Sequence, residues 1–222
     1  MIKAVIFDMY ETLITHFNSP LYFGTQMAID ADIEEEKFLK IWRAEEENRT
    51  IGKITLEELL EKILRENNCF SEKKMNYIVD KRIRCKEEAF EHLHVEIVPM
   101  LRSLKEKGML IGLISNCFSE ETMVIKKSIL YPFFDTVCLS YDEGVQKPNP
   151  VIFKRCLEKL NVRADECLYV GDGGSNELEA AKELGMKAVQ AVWYLKEGAN
   201  QPTQRIADFE HIETPLDIID II

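Results

Sequence analysis

The chain has 222 residues, enough for one large domain or for a core carrying a smaller insert. Hydrophobic residues make up 46% and charged residues 30%, the balance of a folded globular protein rather than a disordered one. The formal net charge of −11 leaves no basic surplus and argues against nucleic acid as a partner, whereas a small phosphorylated substrate needs only a local positive pocket.

The first element is a short apolar run, Ala4-Val5-Ile6-Phe7, that stops at Asp8. Two of its residues are β-branched, which reads as a buried strand. Ligands of an open α/β sheet sit at the carboxyl ends of its strands, so Asp8 stands in a reactive position. The plain alternative is an acid that starts a turn or caps a helix. Asp8 also interrupts the apolar start too early for a signal peptide.

From residue 22 to about 92 the chain is charged and amphipathic, with no convincing strand. Ile33, Phe38, Ile41 and Trp42 recur at helical spacing, as do Leu56, Leu59, Leu60, Ile63 and Leu64. Met75, Ile78, Val79, Arg82 and Ile83 suggest a third helix, and Thr55-Leu56-Glu57-Glu58 reads as a capping box opening the second. Residues 16–94 are thus expected to form an all-helical insert, with 1–15 and 95–222 forming the α/β core.

From Val95 strands and helices alternate. Helices are expected over 99–107, ended by Gly108, then 120–130, 150–160 and 177–184. Strands are expected over 109–114, 136–140, 166–170 and 187–192, and the alternation predicts a parallel sheet with helices on both faces. Residues 206–222 read as an edge strand and a final amphipathic helix. Six cysteines lie scattered without a C-x-x-C pair, several inside apolar runs, which points to packing rather than zinc or disulfides. No apolar run approaches membrane-spanning length, so a cytoplasmic protein without a membrane partner is expected.

Four stretches carry polar groups in order: Asp8 after the first strand, Ser115-Asn116 after Ile111-Gly112-Leu113-Ile114, Lys147-Pro148-Asn149-Pro150, and Leu168-Tyr169-Val170-Gly171-Asp172. Together they resemble the signature of the haloacid dehalogenase superfamily, which consists mostly of phosphatases. That pattern has a nucleophilic Asp, a Ser/Thr after the second strand, a Lys before a helix, and a Gly-Asp acidic loop. The resemblance runs from Asp8 to Glu177 and implies a doubly wound, Rossmann-like core whose helical insert is the cap of subfamily I. It implies that Asp8 attacks phosphorus to form an aspartyl-phosphate. Lys147 would neutralise the nucleophile and the transferring group, Ser115 and Asn116 would hold phosphate oxygens, and Thr12 would steady the first loop. Mg²⁺ would be held by Asp8, Asp172, the backbone carbonyl of Tyr10 and, directly or through water, Glu177. The loop at 49–53 corresponds to one that helps choose the substrate, making Arg43, Arg49 and Lys53 candidate contacts; the alternative is solvated helix-face charges. The implied partner is a small phosphorylated substrate, with monomer and homodimer both open.

The pattern breaks at Tyr10. Most phosphatases of this superfamily carry there a second Asp, the acid and base for leaving group and water. The 2-haloacid dehalogenases have Asp-x-Tyr-Gly-Thr instead, close to Asp8-Met9-Tyr10-Glu11-Thr12 apart from Glu11. A halide leaves without a proton. Gly171-Asp172 points the other way, because it supplies a metal carboxylate for which dehalogenation has no use. The expected activity is therefore a Mg²⁺-dependent phosphatase, with a 2-haloacid dehalogenase as the alternative and a low-turnover phosphate-binding protein as a third possibility.

Overall fold

The computed structural model describes residues 1–195 and 203–222. In chain order it contains β1 (Ala4–Phe7), α1 (Gly24–Ala31), α2 (Glu35–Ala44), α3 (Glu46–Thr50), α4 (Leu56–Glu66), α5 (Glu72–Glu88) and α6 (Ile97–Glu106). There follow β2 (Leu110–Ser115), α7 (Ser119–Lys127), β3 (Thr136–Leu139), α8 (Ser140–Glu143), α9 (Pro150–Leu160) and β4 (Cys167–Gly171). The last elements are α10 (Glu177–Glu183), β5 (Lys187–Ala191), β6 (Glu210–Ile212) and a 3₁₀ turn, Pro215–Asp220.

The strands form one parallel sheet in the order β3-β2-β1-β4-β5-β6. Alternate residues of β1 serve opposite faces. Val5 and Phe7 pack with Ile97, Leu101 and Leu104 of α6, while Ala4 and Ile6 pack with Phe153 and Cys156 of α9 and Leu178 of α10. Both faces being covered, every residue of β1 is apolar and buried. Beside β1 the winding reverses, β2 lying on one side and β4 on the other, and the carboxyl ends of these three strands open a crevice.

Helices α1 to α5 bury their own cluster, including Met27, Phe38, Leu59, Leu60, Ile63 and Ile78, separate from the two clusters on the sheet. The Thr55 capping box is present: Thr55 Oγ1 accepts from the Glu58 amide and the Glu58 carboxylate accepts from the Thr55 amide. This unit meets the core through α5 and α7, where buried Arg82 and Lys86 face buried Glu120 and Glu121.

Three expectations need correction. The insert contains α1 and α3 besides the three expected helices; α1 buries only Gly24, Met27, Ala28 and Ala31, too small an apolar stripe to stand out in sequence. The stretch expected as a loop, 49–53, is partly helical, since Arg49 and Thr50 end α3. The final helix is a six-residue 3₁₀ turn opening on Pro215, with Asp217 accepting from the Thr214 amide, too short to propagate an α-helix.

Candidate active site

Asp8 follows β1 directly, and its amide donates to the Val170 carbonyl of β4 (2.9 Å), which carries the sheet one residue further and fixes the carboxylate at the crevice. Asp8 Oδ1 accepts from Lys147 Nζ (2.5 Å) and Oδ2 from Thr12 Oγ1 (3.4 Å). The loop after Asp8 is pinned from beyond β5, where Trp193 Nε1 donates to the Thr12 carbonyl (2.8 Å) and Tyr194 Oη to that of Leu13 (3.3 Å).

Lys147 is buried and also bonds Glu177, the first residue of α10. Glu177 accepts from Tyr169 Oη (2.9 Å) and the Gly173 amide (3.2 Å). It fits because residue 171 is glycine: a Cβ there would lie 2.0 Å from Glu177 Oε1. Asp172 accepts from the Gly174 amide and from Thr203 Oγ1, both at 2.9 Å. Its loop turns through the left-handed region at Gly173, Ser175 and Asn176.

Asp8, Asp172 and Glu177 each offer a carboxylate oxygen, and these oxygens lie within 4.8 Å of one another. Burial, then the charge of Asp8, pushes Asp172 up to about 6. Burial likewise raises Glu177 against the pull of Lys147. Burial would lower Lys147, but the charges of Asp8 and Glu177 overcome it and hold the ammonium above its ordinary range. One ammonium faces three buried carboxylates, and hard oxygen donors short of positive charge suit Mg²⁺.

The other expected residues are placed as follows. Asn116 clips Lys147 to the end of β2: its Oδ1 accepts from the Lys147 amide (2.8 Å) and its Nδ2 donates to the Lys147 carbonyl (3.0 Å) and Ser175 Oγ (3.3 Å). Ser115, the last residue of β2, is fully buried. Arg49 is also buried, sandwiched between the Trp42 and Phe118 rings (3.6 and 3.7 Å) with Nη2 3.5 Å from Glu120. It lines a larger cavity of about 940 Å³ between the helical unit and the core, together with Arg43. Lys53 is exposed and lines neither this cavity nor the one of about 290 Å³ over Asp8.

Tyr10 faces both cavities. Its hydroxyl is buried with no hydrogen-bond partner among the described residues, and burial, then Glu121, raises its pKa well above the phenol range. Its ring stacks on His16 (4.6 Å between centroids, 19° between planes). His16, Lys86, Glu11 and Ser175 are pocket residues that sequence reasoning did not single out. His16 Nε2 accepts from Lys86 Nζ (2.5 Å), and its Nδ1 lies 3.4 Å from Glu11 Oε1; burial, then Lys86, lowers its pKa. Glu11 adopts φ 59° and accepts from Thr15 Oγ1 (2.5 Å) and the His16 amide (3.0 Å). The only signal in sequence was its position, where the dehalogenase pattern has glycine. Cys117 packs against Thr122 Oγ1 (3.2 Å), and burial lifts its thiol to about 12, so it is inert.

A family model described as haloacid dehalogenase-like hydrolase matches residues 2–185. The glyceraldehyde 3-phosphate phosphatase of Methanopyrus kandleri is 29% identical over 134 residues, 57% of this chain and 55% of that protein, so the chain spans about half that relative's length. A HAD phosphatase from Thermococcus onnurineus superposes with TM-score 0.68 at 22% identity, over 99% of this chain and 97% of that one. A 2-haloacid dehalogenase from Pseudomonas syringae pv. Tomato DC3000 superposes with TM-score 0.67 at 20% identity, over 100% and 98%. The likeness is one of fold, and it does not separate a phosphatase from a dehalogenase.

Proposed function

Since the chain belongs to the haloacid dehalogenase-like hydrolase family, we propose that it is a Mg²⁺-dependent phosphatase of a small phosphorylated metabolite, with Asp8 as nucleophile and residues 16–94 as its cap. The buried cluster of Asp8, Asp172 and Glu177 around Lys147 carries this reading. Asp8, Asp172 and Glu177, with the backbone carbonyl of Tyr10, would hold the metal. When bound, Mg²⁺ supplies positive charge that screens the carboxylates from the phosphate and polarises the phosphoryl group.

One Asp8 oxygen attacks phosphorus, and the bond from phosphorus to the ester oxygen breaks with its electron pair leaving on that oxygen. Water then attacks the phosphorus of the aspartyl-phosphate and the bond from phosphorus to the Asp8 oxygen breaks, releasing inorganic phosphate and restoring the carboxylate, while the proton that water loses balances the one the leaving oxygen takes up from solvent. Lys147 stays charged between Asp8 and Glu177 and offsets the negative charge of the transferring group. Asn116 holds the Lys147 backbone at the site, and Thr12 orients the second oxygen of Asp8. The relative named glyceraldehyde 3-phosphate phosphatase supports a phosphomonoester substrate.

The second reading, a 2-haloacid dehalogenase, is favoured by Tyr10 and opposed by Asp172. Phosphate release from a panel of phosphomonoesters, with Mg²⁺ and with chelator, is the test, run beside halide release from a 2-chloro acid. Mg²⁺-dependent phosphate release is expected. Chelator-resistant halide release without phosphatase activity would replace this reading with the second.

A further inference from the structure

The loop that carries Asp172 is held from outside by residues that sequence reasoning did not single out. Gln190 lies on β5 opposite Gly171 in the parallel register and is fully buried. A buried side-chain amide needs partners for its donors and its acceptor. Gln190 Nε2 donates to the Asp172 carbonyl (2.8 Å) and to the Gln204 carbonyl (2.7 Å), and Oε1 accepts from the Ile206 amide (2.8 Å). One side chain thus ties the acidic loop to the segment that follows β5. The two also touch at Gly173, whose φ is +96°: Ile206 Cδ1 lies 2.5 Å from where a Cβ would stand.

This seating brings Thr203 onto Asp172. Thr203 Oγ1 donates to Asp172 Oδ2 and the Gly174 amide donates to Oδ1, both at 2.9 Å. Among the described residues, Thr203 supplies the one side-chain hydrogen bond to this carboxylate. A carboxylate has about four lone-pair sites on its two oxygens, so one donor on each oxygen fixes its plane and leaves each oxygen a site for a cation.

We propose that Thr203 is a positioning residue of the metal site: its hydroxyl sets the Asp172 carboxylate for Mg²⁺ in the cluster with Asp8 and Glu177. Gln190 keeps Thr203 there by clamping residues 204–206 to the acidic loop. The inference rests on the Mg²⁺-dependent reading and adds two residues that act only through Asp172. Holding the carboxylate in one orientation before the metal arrives removes an ordering cost from binding. Outer partners of this kind are typically worth about 10–100-fold in metal affinity.

The test is calorimetric and needs no turnover. Mg²⁺ is titrated into the unsubstituted protein, Thr203→Val, which keeps the branched shape and loses the hydroxyl, and Thr203→Ser, which keeps the hydroxyl. Thr203→Val is expected to bind Mg²⁺ about 10-fold or more weakly, and Thr203→Ser to stay within about 3-fold of the unsubstituted protein. Should Thr203→Val not fold, Thr203→Ala removes the same hydroxyl with less bulk. Gln190→Met should weaken Mg²⁺ binding as well and speed hydrogen exchange at the amides of 204–206. A merely structural role would lower the metal-free melting temperature of Thr203→Val and leave its Mg²⁺ affinity unchanged, which would overturn the proposal. A Thr203→Ser protein as weak as Thr203→Val would overturn it too, since shape rather than the hydroxyl would then decide. The underlying reading fails at a different point: no Mg²⁺ uptake by the unsubstituted protein would end both.

Discussion

Tyr10 is where a single residue decides the chemistry. A phenol ordinarily ionises near ~10, and burial raises Tyr10 further, so it stays protonated and cannot act as a base at neutral pH. A well-placed acid or base is worth about 10²–10⁴-fold in rate. Hydrolysis of alkyl phosphates, whose leaving alkoxide needs a proton, should therefore be weak, and that of nitrophenyl phosphate less impaired. Tyr10→Asp should raise turnover of the alkyl ester more than the aryl one; an unchanged ratio would mean that another group already supplies the proton. Asp172 carries the complementary prediction. Removing it as Asp172→Ala should weaken Mg²⁺ binding by at least about 10-fold, the loss that even an outer partner of a metal ligand brings. Calorimetry finding one affinity for both proteins would dismiss the metal site and revive the dehalogenase reading. Glu11 shows a local compromise: it takes a left-handed backbone that favours glycine, and its carboxylate compensates by bonding Thr15 and His16.

Between elements, the decisive contact is α5 against α7. Arg82 donates to Glu120 (3.1 Å), Glu121 (3.4 Å) and the Tyr22 carbonyl (2.6 Å), and all three charged side chains are buried. Breaking such a group by removing one partner strands charge in low dielectric and costs about 3–5 kcal/mol. Arg82→Met should lower unfolding free energy by that amount in urea titrations. Arg65→Met, which breaks an exposed pair with Glu61 and an exposed cation–ring contact with Phe70, should cost no more than about 1 kcal/mol. Similar losses for the two would mean that the α5–α7 contact is no stronger than a surface pair.

For the whole molecule the same contact makes attachment of the helical unit sensitive to acid. Glu121 is held down to about 2: burial would raise it, but Lys86 and Arg82 overcome that. Unfolded, it takes its proton near its ordinary ~4.3. Between those values the unfolded chain binds the extra proton, so this contribution is complete above about pH 5 and is lost as pH falls. The slope from one such group is about 1.4 kcal/mol per pH unit. Melting temperatures from pH 6 to 3 should fall more steeply for the unsubstituted protein than for Glu121→Gln. Parallel curves would remove Glu121 as a source of the acid sensitivity.

Local pattern was enough to read the parallel sheet, the order of its strands along the chain, the helical insert and its capping box, because period and turn chemistry are written within a few residues. The four polar stretches at Asp8, Ser115, Lys147 and Asp172 were likewise legible, since each directly follows or precedes a recognisable element. Arg49 shows where that reading stopped: the resemblance of its stretch to a substrate-choosing loop suggested a substrate contact, but not that it is buried between two rings beside Glu120. His16, Lys86 and Glu121 were silent because their mutual contacts form only in the folded chain: Lys86 reaches His16 from 70 positions away and Glu121 across the α5–α7 contact. Glu177 was legible as an acid, but its bond to Lys147 depends on glycine at 171 and on the reversal of the sheet beside β1. Strand ends and caps belong to sequence because they arise from neighbours along the chain; buried charge belongs to tertiary structure, because its balance depends on which distant groups share the same low-dielectric space.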